Sequence, residues 1–184
     1  MDAHHHRQIG FTLVELLITI SIVAILFGLA IPSFTEMRQN SIRRTALNDY
    51  WHAIFLARNE AIKRNSVVVL CKSIDGQSCQ NTDEEWSAGW IVFDNLDHDE
   101  PAQRDSNEPI LHNYNPTRGI SIRSNRDNFS FRPFAQGAVN GTIVFCDSRG
   151  SSVARAIIIS HTGRPRQSTV DASNHALTCP VSVS

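Results

Sequence analysis

Two arginines near the C-terminus, Arg164 and Arg166, have the type and spacing needed to bind phosphate groups. They lie in the sequence Gly163-Arg164-Pro165-Arg166, where Pro165 disfavours a helical conformation at the residue before it. In an extended segment, residues i and i+2 point to the same side and lie about 6.6 Å apart. Because a guanidinium donates parallel hydrogen bonds to phosphate oxygens, the segment predicts a site for a phosphate-containing ligand, with Gly163 in the preceding turn.

Charge is distributed unevenly along a chain whose formal net charge is −1. Residues 71–109 contain ten acidic and two basic residues, whereas residues 110–184 contain eight arginines, no lysine and three acidic residues. The arginines therefore either bind an anionic partner or pair with the acidic block, within one subunit or with a neighbour. Arg149, in a predicted turn, and Arg155, at the start of a predicted strand, are expected to join the site. Three further candidates are Arg118, Arg123 and Arg126.

Catalytic and metal chemistry find less support in the sequence. An acidic run could supply the oxygen ligands that calcium prefers, but its spacing lacks the glycine and terminal glutamate of an EF-hand; the run contains Asp94, Asp97, Asp99 and Glu100. Residue types of a hydrolase triad occur without a nucleophile motif, at Ser160, His161 and Asp171. We predict no enzyme, no metal and no cofactor.

The N-terminal part of the chain contains an apolar segment from Phe11 to Ile31 that carries one formal charge, on Glu15. As a helix, these residues would be about 30 Å long, which matches the hydrocarbon core of a bilayer. A carboxylate in hydrocarbon costs a few kcal/mol, so such a group tends to have a partner or a function. The segment predicts a transmembrane helix whose acid, near one end, either reaches the membrane interface or pairs with an amine in an assembly of such helices.

The sequence Gly10-Phe11-Thr12-Leu13-Val14-Glu15-Leu16-Leu17 resembles the type III signal of type IV prepilins and pseudopilins. The resemblance implies a leader at 1–10, cut after Gly10 by a prepilin peptidase, and a methylated mature N-terminus at Phe11. It also implies that Glu15 pairs with the terminal amine of a neighbouring subunit. The chain would start as a single-pass inner-membrane protein and then join an extracellular pilus or a periplasmic pseudopilus. An ordinary secretory signal differs, because cleavage removes its apolar region.

The charges after the apolar segment and the cysteines both indicate on which side of the membrane the rest of the chain lies. Arg38, Arg43 and Arg44 follow the apolar segment, and the positive-inside rule alone would place them in the cytoplasm. The resemblance implies the opposite orientation, which an even number of cysteines supports, because disulfides persist in exported compartments. Four cysteines allow three pairings. We expect Cys71–Cys79, across a short loop, and Cys146–Cys179, and a zinc site is disfavoured because no C-x-x-C pair is present.

The remaining sequence predicts an α+β, pilin-like fold with a long N-terminal helix packed on antiparallel sheet. Residues 11–31 would form the membrane and assembly helix, 32–65 its amphipathic continuation, and 66–184 a β-rich globular domain. The expected core stripe of the helix is Leu47, Trp51, Ile54, Phe55 and Ile62. Arg43, Arg44, Lys63 and Arg64 are placed on its polar side or end. Strands are predicted at Val67–Leu70, Trp90–Phe93, Ile110–Tyr114, Gly119–Arg123, Phe129–Phe131, Thr142–Phe145 and Ala154–Ile159.

A second resemblance concerns function. The sequence from Trp86 to Asp94 is similar to a signature of GspH/FimT-type pseudopilins, and Gly163-Arg164-Pro165-Arg166 matches the GRxR motif of FimT-like DNA-binding pilins. The resemblance implies a minor pilin that binds double-stranded DNA for uptake in natural transformation. The alternative is a structural GspH-type pseudopilin of type II secretion, or a pilus-priming subunit. No aromatic residue interleaves the motif, so we expect contacts to the phosphate backbone and little sequence preference.

Overall fold

A computed structural model of the chain describes residues 11–80, 86–115, 118–133 and 137–180, and the predicted leader lies outside them. Two compact units are present, Met1–Asn40 and Ser41–Ser184. Helix α1 runs through Leu13–Arg64, with its first part in one unit and its second part in the other. Eight strands follow within the described residues: β1 (Val67–Lys72), β2 (Trp90–Asn95), β3 (Ile110–Tyr114), β4 (Ser121–Ser124), β5 (Asn128–Phe131), β6 (Gly141–Cys146), β7 (Arg155–Ile159) and β8 (Pro165–Ser168).

Both ends of helix α1 are closed by hydrogen bonds that the sequence supplies. At the first end, the Thr12 N–H donates to Glu15 Oε2 at 2.9 Å, and the Glu15 N–H donates to Thr12 Oγ1 at 3.3 Å. This reciprocal pair is a capping box. At the other end, Asn65 adopts a left-handed conformation with φ of 53°, and the Ser66 N–H donates to the Ala61 carbonyl at 3.2 Å. A left-handed residue followed by such a bond ends a helix.

The strands form two antiparallel sheets of four strands each within the described residues. The first has the order β3-β2-β1-β5 and the second has the order β4-β6-β7-β8. In the second sheet, β8 is an edge strand whose register pairs Arg166 with Ile158 and Pro165 with Ile159. The predicted α+β fold, a long helix on antiparallel sheet, is therefore confirmed, and the sheet is divided into two.

The helix residues that are buried against the sheets differ in part from those predicted. Leu47 and Ile54 are buried as expected, but Phe55 and Ile62 are exposed and Trp51 is only partly buried. The buried face consists mainly of small side chains, together with one tyrosine: Ala46, Tyr50, Ala53, Ala57 and Ala61. Large apolar side chains on the flank of the helix dominated the sequence pattern. The contact with the sheets is made mostly by alanines, which allow close approach of the backbones, together with Leu47, Tyr50 and Ile54.

Tyr50 is the one large side chain at the centre of this face. Its hydroxyl donates to the Trp86 carbonyl at 2.9 Å, and its ring lies 4.5 Å from that of Trp90 and 5.4 Å from that of Phe145. Trp86 and Trp90 belong to the first half of the chain, whereas Phe145 lies on β6 of the second sheet. Tyr50 therefore links the helix to both sheets.

Each sheet is also covered on the face that points away from the helix. Val69, Cys71, Ile91 and Phe93 form a second apolar cluster on the first sheet, and the disulfide Cys71–Cys79 closes over it. In the loop between these cysteines, hydrogen bonds from the Ser78 and Gln77 backbone N–H groups hold the pKa of Asp75 well below its usual range.

The second sheet is covered by the C-terminal segment. Leu177 packs with Ala154, Ala156 and Cys146, and the disulfide Cys146–Cys179 fixes the segment there. The two disulfides have the pairing expected from the sequence and use all four cysteines.

The predicted strands all occur, with different limits. The observed β1 and β2 each extend two residues further than predicted, and β4 starts two residues later than predicted. The segment Pro165–Ser168 was expected to be extended but was not predicted as a strand, because it contains no β-branched or aromatic residue. This segment becomes a strand because it pairs with β7, and its own residues do not favour that conformation.

Arg43 corrects a further expectation, because it is buried and does not lie on the polar side of the helix. Its Nη1 lies 3.1 Å from Asp147 Oδ2, and the Asp147 side chain is 2% exposed. Arg149 also contacts this carboxylate, with Nη2 to Oδ2 at 2.6 Å. Burial raises the pKa of Asp147, but hydrogen bonds from Arg149 and the charge of Arg43 outweigh that effect and leave it lower than usual.

Substitution of Asp147 by asparagine is expected to lower the free energy of unfolding by about 3 kcal/mol at pH 7, because it leaves the Arg43 charge buried without a counter-charge. Since the folded-state pKa of Asp147 is depressed, its contribution is present above the unfolded pKa of about 3.9 and is lost as pH falls through the folded value. Denaturant unfolding of the chain in neutral detergent, at pH 7 and in acid, measures both effects.

The matched control is Asp105→Asn, which removes an exposed carboxylate. We expect this control to lie within about 0.5 kcal/mol of wild type, as surface substitutions generally do. An Asp147→Asn variant as stable as the control at pH 7 would show that the buried ion pair does not hold the helix to the second sheet.

Candidate functional site

The turn before the arginine pair is fixed by its own hydrogen bonds. The Gly163 N–H donates to the Ser160 carbonyl at 2.8 Å, and the Ser160 N–H donates to the Arg164 carbonyl at 3.1 Å. The Ser160 hydroxyl lies 2.9 Å from Thr162 Oγ1 and accepts from the Arg164 N–H at 3.3 Å. The turn connects β7 to β8, so the backbone of Arg164 is held in place by bonds on both of its polar groups.

Gly163 is required at its position for two physical reasons. Its φ is +72°, a left-handed conformation that L side chains rarely adopt. A Cβ at Gly163 would also lie 3.3 Å from Ala138 Cβ and 3.4 Å from Phe131 Cδ1, which is tighter than ordinary contact. The Ala138 N–H donates to the His161 carbonyl at 2.7 Å and docks the turn on the same neighbour.

Arg164 and Arg166 lie on the exposed side of this structure. Arg166 is the register partner of Ile158, whereas the flanking residues Ile157 and Ile159 belong to the core beneath the helix. Because side chains alternate along a strand, Arg166 projects from the face that points away from the helix, and Arg164, one residue before β8, is exposed. Pro165 is tolerated between them because β8 is an edge strand.

Neither arginine of this pair is neutralised by the described part of the chain. Within residues 11–80, 86–115, 118–133 and 137–180, no carboxylate forms an ion pair with the guanidinium of Arg164 or Arg166, and no group accepts a hydrogen bond from it. Pairing with the acidic block inside the subunit is therefore not observed there. The fixed turn presents two positive charges to solvent.

Arg149 and Arg155 were expected to join this pair, and the structure does not bring them there. Arg149 binds Asp147, and Arg155 donates to the Val153 and Ala154 carbonyls at 3.3 and 2.8 Å. Arg155 begins β7, at the opposite end from the turn, which is about 13 Å along a strand of five residues.

The three further candidate arginines lie in different surroundings. Arg118 is exposed and has no ion-pair or hydrogen-bond partner among the described residues, and Arg123 lies on β4, at the other edge of the second sheet from β8. Arg126 donates from Nε to the Asn140 carbonyl at 3.1 Å.

One positively charged neighbour of the turn was missed by the sequence reasoning. A Cβ added to Gly163 would lie 3.7 Å from Cδ of Arg58, which projects from helix α1. The only local signal is that no acid stands three or four residues from Arg58, where an ion-pair partner on a helix would lie. Those positions hold Ile54, Phe55, Ala61 and Ile62.

The acidic run that the sequence analysis considered and disfavoured as a calcium site contacts other groups of the protein. Asp94 lies 3.5 Å from Arg64 Nη1, Asp99 accepts hydrogen bonds from Asn95 and the Gln103 N–H, and Glu100 pairs with Arg132. Across the ranges that the structure describes, no group of three His, Cys, Asp or Glu side chains is arranged to hold a metal ion.

The N-terminal unit contains the second candidate site. Helix α1 contains a window of 18 residues with a mean hydropathy of 2.6, so it is long and apolar enough to cross a membrane. Phe11 and Glu15 lie at its start, where the carboxylate of Glu15 is held by the capping box with Thr12. Gly10, the predicted cleavage residue, is outside the described residues.

Comparison with known sequence families decides the class of protein. Residues 46–163 match the family described as type II transport protein GspH, and residues 5–31 match the prokaryotic N-terminal methylation motif. The first match covers more than half of the chain. The chain belongs to the GspH family. Members of this family are pilin-like structural subunits, and the motif implies processing by a prepilin peptidase and assembly with other pilins.

Solved structures agree with this family at the level of the fold. A crystal structure of the type IV minor pilin FimU from Pseudomonas aeruginosa (strain PAO1) matches with 16% identity and a TM-score of 0.52, covering 77% of this chain and 98% of FimU. Another crystal form of FimU matches with 12% identity and a TM-score of 0.50, covering 71% and 98%. No curated protein matches the chain. At these identities the likeness establishes the fold alone.

The family assignment confirms the predicted location in the inner membrane and then in a pilus or pseudopilus. It does not show what Arg164 and Arg166 bind. An apolar helix with a methylation motif anchors a pilin in the inner membrane before it assembles into a pilus or pseudopilus. The GspH match ends at Gly163, so Arg164 and Arg166 lie just beyond the residues shared with the family.

Substitution of Gly163 by alanine is expected to lower the free energy of unfolding by about 2 kcal/mol, because a left-handed Cβ is strained and this one also contacts Ala138 and Phe131. Gly119→Ala is the matched control: its φ is +79°, but the added carbon meets only Ile42 Cδ1, at an ordinary contact distance of 3.7 Å, so we expect a loss of about 1 kcal/mol. Denaturant unfolding compares the two variants, and equal losses would show that close packing of the turn contributes nothing.

Proposed function

We propose that this protein is a minor pilin of a type IV pilus that binds double-stranded DNA through Arg164 and Arg166, for DNA uptake in natural transformation. The observation that carries the proposal is the pair of exposed arginines without an ion-pair partner in the described chain, on a turn that is already ordered. Arginine forks bind phosphate oxygens, and a fixed turn loses little conformational freedom when it binds.

The proposed contacts are to the phosphate backbone and not to base edges. The segment from Gly163 to Ser168, which contains both arginines, includes no aromatic side chain on which a base could stack. Contacts of this kind position a protein on nucleic acid without reading its sequence. Weak, salt-dependent binding of any DNA sequence is therefore expected.

Arg149 and Arg155, which the sequence analysis added to the DNA site, contribute little to this proposal. Asp147 neutralises Arg149, and Arg155 turns toward backbone carbonyls at the far end of β7. We therefore restrict the proposed phosphate contacts at the turn to Arg164 and Arg166, supported by Gly163.

The alternative function is a structural pseudopilin of type II secretion or a pilus-priming subunit, which the description of the matching family favours. The arginines would then pair with acids of a neighbouring subunit in the filament. The acidic residues of positions 71–109 make such pairing chemically possible between copies or related subunits. Genes for type II secretion beside this gene, in place of minor-pilin genes, would favour the alternative.

At the other end of the chain, we propose that cleavage follows Gly10 and that Glu15 is the assembly residue. After cleavage, Phe11 would carry a new terminal amine next to the capping box of Thr12 and Glu15. The carboxylate of Glu15 lies on an exposed part of the helix, so it is accessible to the amine of a neighbouring subunit.

Replacement of Arg164 and Arg166 by glutamine is expected to remove most DNA binding by the full chain in neutral detergent. Each lost phosphate contact also reduces the slope of log affinity against log salt by about 0.9. Fluorescence anisotropy with a random-sequence duplex at several salt concentrations measures both quantities. Arg44→Gln, which removes an exposed arginine of helix α1 outside the turn, is the control and should bind as wild type does. Wild-type affinity and slope in the double variant would overturn the DNA assignment.

Replacement of Glu15 by valine is expected to leave the chain in the membrane, because the helix becomes more apolar, and to reduce its amount in assembled pili. Immunoblots of membrane fractions and of sheared pili measure the two effects. Thr12→Val removes the hydroxyl of the capping box but retains the carboxylate, so this control should still assemble. Equal amounts of the Glu15→Val and wild-type chains in sheared pili would contradict an assembly role.

A further inference from the structure

We infer that Arg58 of helix α1 is a third phosphate contact, and that it binds the strand of a DNA duplex opposite to the one held by Arg164 and Arg166. This inference rests on the proposed function. It adds a residue from a different part of the fold and assigns a preference for double-stranded over single-stranded DNA.

The position of Arg58 follows from the packing of the turn on the helix. Cδ of Arg58 would be 3.7 Å from a Cβ at Gly163, so the aliphatic part of the side chain lies against the buried face of the turn. Long basic side chains generally cover apolar surface with their stems and keep the charged group in water. Arg58 is half-buried in agreement with this arrangement, and it places a charge at the helix side of the turn.

The charge of Arg58 is not neutralised by the described residues. No carboxylate forms an ion pair with it, and no acceptor of a hydrogen bond from its guanidinium is found in the ranges that the structure describes. The nearest acid in the helix sequence, Glu60, is held by Lys63 and Arg64 at 3.4 and 2.6 Å. Arg58 therefore shares with Arg164 and Arg166 the property that distinguishes them from Arg43 and Arg149.

The three arginines lie on two sides of one structural edge. Arg166 projects from the face of β8 that points away from the helix, with the exposed Arg164 just before this strand, whereas Arg58 approaches Gly163 from the helix side. The apex of the turn, from Ser160 to Thr162, is exposed between them. The second sheet thus ends in a narrow edge with positive charge on both flanks.

This arrangement fits a duplex better than a single strand. The two phosphate chains of B-DNA border a groove that is about 12 Å wide on the major side, so an edge that enters it meets phosphates on both flanks. A single strand presents one chain of phosphates, which follows one flank and leaves the other without a partner. Arg58 should therefore contribute to duplex binding and not to binding of single strands.

The test compares full-length wild type, Arg58→Gln, Arg164→Gln/Arg166→Gln and Arg44→Gln in neutral detergent, with a random-sequence duplex and with one of its strands. Glutamine retains Cβ, Cγ and Cδ, so the contact with Gly163 is kept while the charge is lost. Arg58→Lys keeps both the stem and the charge. Thermal unfolding checks that each variant is folded.

For Arg58→Gln we expect the duplex salt slope to fall by about 0.9 and the single-strand slope to stay unchanged. The affinity ratio of wild type to this variant should shrink by about 3.5-fold between about 50 and 200 mM salt, as loss of one contact requires. Arg58→Lys should keep the wild-type slope, and so should Arg44→Gln.

Three results would overturn the inference. The first is an unchanged duplex slope in Arg58→Gln while Arg164→Gln/Arg166→Gln loses binding, which confines the site to the turn and leaves the proposed function standing. The second is an equal loss on duplex and single strand, or an equal loss in Arg44→Gln, which reveals a general charge effect. The third is wild-type binding by the Arg164→Gln/Arg166→Gln variant, which removes the proposed function itself.

Discussion

Close contact between helix α1 and two sheets depends on a helix face of alanines. Ala46, Ala53, Ala57 and Ala61 are completely buried, and one tyrosine, Tyr50, fills the space between both sheets and the helix. Small side chains permit an approach that larger ones would prevent, and interiors packed this tightly accept little change in volume. The same proximity brings polar side chains of the helix against distant parts of the chain. Arg43 reaches Asp147, and Arg58 reaches Gly163.

The arginines of this protein fall into two sets that differ in whether the described chain neutralises their charge. Arg149 and Arg43 share the buried carboxylate of Asp147, so their charges contribute to the structure. Arg164 and Arg166 stand on an exposed edge, and the described chain supplies no counter-charge for them. A count of arginines would group all of them in one basic patch, whereas the fold separates a structural set from a set that is free to bind a partner.

The features that were predictable from the sequence are those encoded locally. Short runs of β-branched residues marked the strands, Asn65-Ser66 marked the end of the helix, and the type and spacing of residues 10–17 indicated a pilin-like N-terminus. The features that were not predictable depend on residues far apart in the chain. Asp147 is 104 positions from Arg43, so no local pattern shows that this arginine is buried.

The buried helix face and the edge strand β8 were also not predictable from local sequence. Large apolar residues dominate a search for helical periodicity. The sequence pattern therefore predicted a core face that included Trp51, Phe55 and Ile62 in place of the alanines. Pro165–Ser168 has little intrinsic preference for a strand, and its pairing with β7 decides its conformation. The contact between Arg58 and the turn could not be predicted for the same two reasons. Predicting it requires knowing which helix face is buried and where strand β8 lies.

The disulfide between Cys146 and Cys179 gives this edge a mechanical property. The bond joins residues 33 positions apart, and β7, the turn and β8 all lie inside the covalent ring that it closes. A force applied at the turn is divided between two arms of the chain that meet again at the bond. If strand β8 detaches from the sheet, the detachment stops at that junction, because the ring transmits the remaining load to β6 through covalent bonds. A filament protein that is pulled by its C-terminal edge is thereby protected from unravelling from that end.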